Sequence, residues 1–152
     1  MISISELLEP KCVKLGLEAK KKKQAVRELA DLLGEAGVGP VGTLAAQVLK
    51  REKLSSTGIG HGVAIPHTLS EDVDRTVMAF GRSSAGIPFE AADNKPAHLF
   101  FFIVGPASSG AFHLKVLSKL SRMVTESTFR DKLMQASSAE EIIEILREGE
   151  ES

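Results

Sequence analysis

Six consecutive apolar residues, Leu99-Phe100-Phe101-Phe102-Ile103-Val104, constrain the fold of this 152-residue chain more than any other feature. A strand with one face in water alternates polar and apolar residues, so an unbroken run of this kind predicts a strand buried on both faces. Helices must then cover both sides of its sheet. The rest of the sequence supplies them. Ala25, Val26, Leu29, Ala30 and Leu33 recur at helical spacing until Gly34 and Gly37. Pro40 opens a second amphipathic stretch through Val41, Leu44, Ala45, Val48 and Leu49, which ends in Lys50-Arg51-Glu52-Lys53. After the apolar run, Leu114, Leu117, Leu120 and Val124 predict one helical stripe and Phe129 with Leu133 another. Ser138 and Glu141 form a capping box ahead of Ile142, Ile145 and Leu146.

Further strands are expected at residues 11–17, at Val63-Ala64-Ile65 and at residues 76–82. The order is strand, two helices, several strands, then helices. It predicts an α/β (α+β) domain, a three-layer α/β/α sandwich whose central mixed sheet has four or five strands. Residues 1–148 are expected to form one domain, with 149–152 an acidic tail that frays from Glu148 onward.

Nineteen basic residues nearly balance twenty acidic ones, a net charge of −1 that supplies no global field for nucleic acid. The run Lys20-Lys21-Lys22-Lys23 opens a helix and is expected to be a solvated face. A single cysteine, Cys12, excludes a disulfide framework and reads as a small buried side chain. No stretch approaches the ~20 apolar residues of a membrane span, so the expected location is the cytoplasm, without insertion into a membrane. The four histidines lack the spacing of a local chelate, so neither a metal nor another cofactor is expected.

The densest chemical signal is residues 57–67, TGIGHGVAIPH. Gly58, Gly60 and Gly62 allow the backbone to approach a ligand and turn N–H groups toward phosphate oxygens. Their spacing misses the dinucleotide GxGxxG pattern, and no Gly-Lys-Ser/Thr follows, which disfavours a nucleotide site. A short apolar strand leads into Pro66-His67, where proline restricts how the histidine is presented. A neutral imidazole, with an ordinary pKa of about 6.5, is a nitrogen nucleophile near physiological pH. The residues alone leave His67 as either that nucleophile or a structural histidine at a strand-to-loop junction. They likewise leave His113 as a helix-cap residue, Arg51 as a helix-end charge and His98 as a strand-edge residue.

The run Arg51-Glu52-Lys53, Ser56-Thr57-Gly58-Ile59-Gly60 and Gly62-Val63-Ala64-Ile65-Pro66-His67 resembles the phosphorylation-site signature of the fructose/mannitol/nitrogen-type Enzyme IIA domains of the bacterial phosphotransferase system. Among these it is closest to nitrogen-regulatory members. Val104-Gly105-Pro106 and the helix headed by His113 extend the likeness over nearly the whole chain. The resemblance implies that His67 is the phosphorylated nucleophile, that His113 is a second active-site histidine and that Arg51 stabilises phosphoryl charge. It also implies donors from a loop of Thr57, Gly58, Gly60 and Gly62, with Thr68 nearby and His61 in proximity. Thr68 stands where relatives often carry glycine, which bears on partner identity. The implied donor is the carrier HPr or its nitrogen-branch paralogue, and the implied recipient is a IIB domain or a regulatory target. No transporter or IIB segment lies in the chain, which leans the expectation toward regulation.

Overall fold

The computed structural model describes residues 2–151. A 3-10 turn (Ser5–Leu7) leads into β1 (Leu8–Lys14), α1 (Lys22–Glu35) and α2 (Val41–Glu52). Four short or long strands follow, β2 (Gly58–Gly60), β3 (Val63–Ala64), β4 (His67–Ser70) and β5 (Val77–Ile87), then β6 (Ala97–Pro106). The chain closes with α3 (Gly110–Met123), α4 (Ser127–Gln135) and α5 (Ala139–Glu150). The mixed sheet has the order β1-β5-β6-β3-β2, with β4 also paired to β6. Six strands rather than four or five arise because the glycine segment contributes β2, a three-residue strand antiparallel to β3.

β6 is the apolar run, and from Leu99 to Pro106 it is buried throughout. The two helical layers lie on opposite faces, as adjacent residues of β5 reveal. A Cβ on Gly81 would meet Leu29 of α1, whereas Arg82 reaches the carbonyls of Leu133, Met134 and Ala136 at the end of α4. Successive side chains of a strand point to opposite faces, so α1 and α4 are on different sides. Edge-to-face pairs of Phe80 with Phe101 and of Phe89 with Phe100 fill the space between sheet and helices.

Several elements differ from their expected positions. β1 begins at Leu8 and runs through Pro10, because it is an edge strand paired only with β5 and a missing N–H is harmless there. On α3 the buried face is His113, Val116, Leu120 and Met123, while Leu114 is 67% exposed. Of the expected stripe, Leu120 and Val124 are buried and Leu117 packs against the core, so Leu114 is the member that departs from it. The capping box stands, with Ser138 Oγ accepting the Glu141 N–H at 3.1 Å. The tail does not fray at Glu148: α5 continues to Glu150, whose carboxylate accepts the Ser5 N–H and the Ser3 hydroxyl. Ser152 lies outside the described residues. Cys12 is buried and its thiol is pushed up to about 11, chiefly by that burial and then by Glu9 and Glu35. No helix among the described residues is long and apolar enough to cross a membrane.

Candidate functional site

β3 and β4 are two segments of one line beside β6. Val63 and Ala64 pair with Leu99 and Phe100, and His67 to Ser70 pair with Ile103 to Pro106. Between them the Pro66 carbonyl accepts the Ile103 N–H at 3.0 Å, so the break costs no pairing with β6. His67 therefore opens β4 on a fixed mount. Its Nδ1 lies 2.6 Å from the Ile65 carbonyl. A carbonyl can only accept, so Nδ1 carries the proton and Nε2 keeps its lone pair. Burial lowers the pKa of His67; the Ile65 bond and Glu52 oppose this, while the charge of Arg51 adds to it.

His113, on the fourth residue of α3, faces His67 with ring centroids 5.5 Å apart and planes tilted by 50°. It is 5% exposed, and neither ring nitrogen has a hydrogen-bond partner. Burial first, and then the charge of His67, push its pKa down to about 4, so it is neutral at physiological pH and holds one unused N–H donor. An unpaired buried donor is costly, and its presence beside the His67 ring marks a place for an acceptor to arrive. Gly105 makes room for this ring: a Cβ there would stand 2.8 Å from His113 Nδ1.

Arg51 lies in the last turn of α2, half-buried, with Nη1 donating to the Ser55 carbonyl at 3.3 Å. Among the described residues, the other guanidinium donors make no protein hydrogen bond. Arg51 and Thr68 line one hollow of about 520 Å³ together with Leu54 and Leu69. The Thr68 hydroxyl donates to the Leu69 carbonyl at 3.0 Å.

The glycine loop is built differently from the expected phosphate cradle. Thr57 N–H donates to both carboxylate oxygens of Glu52, at 2.7 and 2.9 Å, and its hydroxyl donates to the same group. Gly58 N–H is taken by Ser56 Oγ at 3.0 Å, and His61 N–H by Asp93 at 3.2 Å. These donors are already used. Gly58 is glycine because a Cβ would come within 3.0 Å of the Phe89 carbonyl, a matter of packing. Gly60 and Gly62, at φ +86 and +77, form the β2–β3 turn with His61. The Gly62 carbonyl accepts from His98 and Leu99, at the beginning of β6, whereas His67 pairs with Ile103. At about 3.3 Å per residue, that is about 13 Å farther along the sheet. Gly60, His61 and Gly62 therefore lie away from His67, and the N–H groups of Thr57 and Gly58 are committed within the protein. His98 donates Nδ1–H to the Ser83 carbonyl, at the strand edge.

Two residues that the sequence left without a role hold the site. Glu52 is buried, and besides Thr57 it binds Lys22 Nζ at 3.2 Å. Lys22 also pairs with Glu90 at 3.0 Å and lies over the Phe89 ring, so it is not part of a solvated face. A signal for Glu52 existed: it follows Val48 by four residues on the apolar stripe of α2, where a carboxylate must have buried partners. From Glu52 a chain of bonds reaches His67, since the Thr57 carbonyl accepts the Ile65 N–H at 3.0 Å and the Ile65 carbonyl accepts from His67. Among the described residues, no three His, Cys, Asp or Glu side chains converge as a metal site would require.

The geometry joins two histidines and an arginine, and the known proteins that this chain is similar to give the arrangement its context. It is 37% identical over 148 residues to the fructose-specific EIIABC component of Bacillus subtilis, a match covering 97% of this chain but only 23% of that protein. It is 40% identical over 128 residues to the fructose-specific EIIA component of Haloferax volcanii, covering 84% of the chain and 83% of the relative. Its structure superposes on that of the nitrogen regulatory protein IIA-Ntr from Neisseria meningitidis with a TM-score of 0.89 and 37% identity, over 94% of this chain and 98% of the other. The pattern of the family described as phosphoenolpyruvate-dependent sugar phosphotransferase system, EIIA 2, matches residues 6–149, nearly the full length, and the chain belongs to that family.

Proposed function

We propose that the chain is a phosphoryl carrier that takes a phosphoryl group onto Nε2 of His67 from the phosphohistidine of HPr or of its nitrogen-branch paralogue. The observation that carries this reading is the Nδ1–Ile65 bond, which leaves the Nε2 lone pair free beside the unpartnered ring of His113. In the transfer the His67 Nε2 lone pair forms the new N–P bond in line, and the donor's N–P bond breaks with its electron pair returning to the donor nitrogen. No proton moves. His113 N–H and Arg51 donate to the phosphoryl oxygens, and fixed donors of this kind supply most of the catalysis in such a reaction. No nucleotide or metal is needed for that step.

A protein donor needs a surface to dock on. Leu54 and Leu69 are exposed and border the hollow that Arg51 and Thr68 line, and the exposed Phe112 and Leu114 are the sequence neighbours of His113. The output we favour is nitrogen-regulatory: phosphorylation of His67 would change charge and hydrogen bonding on that face, and with them the choice of target protein. The likeness to IIA-Ntr over nearly both whole chains supports it. The second reading, delivery to a IIB domain for sugar uptake, is supported by the fructose-specific relatives.

Incubation with phosphoenolpyruvate, Enzyme I and HPr or its paralogue tests the first step. Acid-labile phosphate is expected on the wild type and absent from His67→Ala; full labelling of that variant, or none of the wild type, would overturn the proposal. Pull-downs with the two phosphorylation states then separate the outputs, a IIB protein indicating transport and a sensor or regulator indicating signalling.

A further inference from the structure

On the other side of Glu52, away from His67, α1 and α2 enclose a cleft of about 880 Å³, within the range of small-molecule sites. Val41, Ala45 and Leu49 provide an apolar floor, and Gly42 and Ala46 keep it open. A Cβ on Gly42 would meet nothing within 4 Å. The rim is cationic. Lys22, Lys23, Arg27, Lys50 and Lys53 line it against Asp31, Glu52 and Glu90. Glu52 and Glu90 are both paired with Lys22. Lys23, Arg27, Lys50 and Lys53 have no ion-pair partner among the described residues.

The cations are not spread evenly. Lys22 and Lys23 begin α1 while Lys50 and Lys53 end α2, and the Lys22–Glu52 pair joins those two ends. Val41 and Gly42, at the start of α2, lie toward Asp31 on α1. The cleft thus has a charged head and an apolar body. We propose that it binds a small amphipathic organic anion, with a carboxylate or phosphate head on Lys23, Lys50 and Lys53 and an apolar chain over Leu49, Ala45 and Val41. Charge complementarity identifies the head, and the uncharged floor identifies the body. Lys22 and Glu52 belong both to the cleft wall and to the support of Thr57 and Ile65, so an anion on Lys23, Lys50 and Lys53 adds negative charge beside the Lys22–Glu52 pair and is felt at His67. That last consequence, unlike the binding, rests on reading His67 as the phosphoryl acceptor.

Octyl phosphate, kept below its micellar concentration, is the probe, and amide NMR shifts of the full chain are the readout. Saturable shifts are expected at Ala45, Ala46, Leu49 and Lys53, in His67→Ala as well as in the wild type. Binding should weaken at least about tenfold in Gly42→Leu, which fills the floor while improving helix propensity, and in the double variant Lys23→Glu/Lys53→Glu. The proposal is overturned by absent shifts, by equal shifts with inorganic phosphate or octyl glucoside, by unchanged binding in both variants, or by tighter binding of an acidic peptide. In the wild type, octyl phosphate should also change the rate of labelling by phospho-HPr severalfold, and Gly42→Leu should remove that response. Failure of labelling with binding intact would refute the carrier reading and leave the cleft assignment standing.

Discussion

Gly105→Ala places one methyl group where the candidate site has least room for it. The built Cβ stands 2.8 Å from His113 Nδ1, 3.3 Å from Thr76 Oγ1 and 3.5 Å from Leu69 Cδ2. Ordinary carbon contacts begin near 3.4 Å on that scale, so the imidazole must retreat by about 0.6 Å or β6 must shift by as much. The face is the correct one, since Gly105 pairs with Leu69 and Ile103 with His67, two residues apart on each strand. A displaced His113 can no longer present its N–H to a phosphoryl group on His67. Misplacement on the scale of 1 Å can cost about 100-fold in rate, and a shift of this size is expected to cost about 10-fold to 100-fold. Overpacking should also lower stability by about 1–3 kcal/mol, leaving a folded protein. The assay is rapid-quench labelling by phospho-HPr, paired with urea unfolding. A folded Gly105→Ala protein that is labelled at the wild-type rate would refute the role given to the His113 ring.

Thr57→Val removes one hydroxyl from Glu52 while leaving the backbone N–H and Lys22; it is expected to cost about 1–2 kcal/mol in urea unfolding yet permit stoichiometric labelling. Loss of labelling in a folded variant would restore Thr57 to the phosphoryl site. The histidine pair makes stability pH-dependent. His113 has a folded pKa of about 4, below the ordinary 6.5, so the unfolded chain binds more protons between those values and stability falls with acid. That contribution is complete above pH 6.5 and lost as pH falls toward 4; the urea midpoint should follow it in the wild type and vary less in His113→Gln, and equal slopes would contradict the assignment. Arg82→Met removes bonds to the carbonyls of Leu133, Met134 and Ala136 and should cost about 1–3 kcal/mol in thermal or urea unfolding, with labelling of His67 unimpaired. An unchanged midpoint would show those bonds to be replaceable by water.

The layers were legible because burial on both faces leaves a local mark. Leu99 to Val104 could only be a central strand, and the helices before and after it followed from periodicity. The one misplaced member of the α3 stripe, Leu114, has an equally local cause: His113 takes the buried position next to it, with Val116 and Met123 on the same face. β1 begins before the alternating residues 11–17 because an edge strand tolerates Pro10, and only the tertiary structure reveals that edge position. His67, His113 and Arg51 were visible as residue types in a familiar pattern, and the fold brings the two rings together. The glycine loop is not legible from sequence because a glycine can serve a ligand, a turn or a tight contact. Only the committed N–H groups of Thr57, Gly58 and His61 distinguish these.

Those committed donors change what the loop contributes. A cradle of free N–H groups would hold a phosphoryl group strongly, but a carrier must also release it, and tight ground-state binding does not speed transfer. Here the loop's hydrogen bonds are spent on Glu52, Ser56 and Asp93, and its contribution to the nucleophile is the Thr57–Ile65–His67 series that fixes the Nδ1 tautomer. On the proposed carrier reading, the donors left to a phosphoryl group would be the neutral His113 ring and the half-buried Arg51, one without a full charge and the other beside open solvent. Such a site would hold its guest loosely, as suits a group that has to leave for another protein, and partner selectivity would then fall to exposed apolar side chains such as Leu54 and Leu69, which line the hollow that Arg51 and Thr68 share.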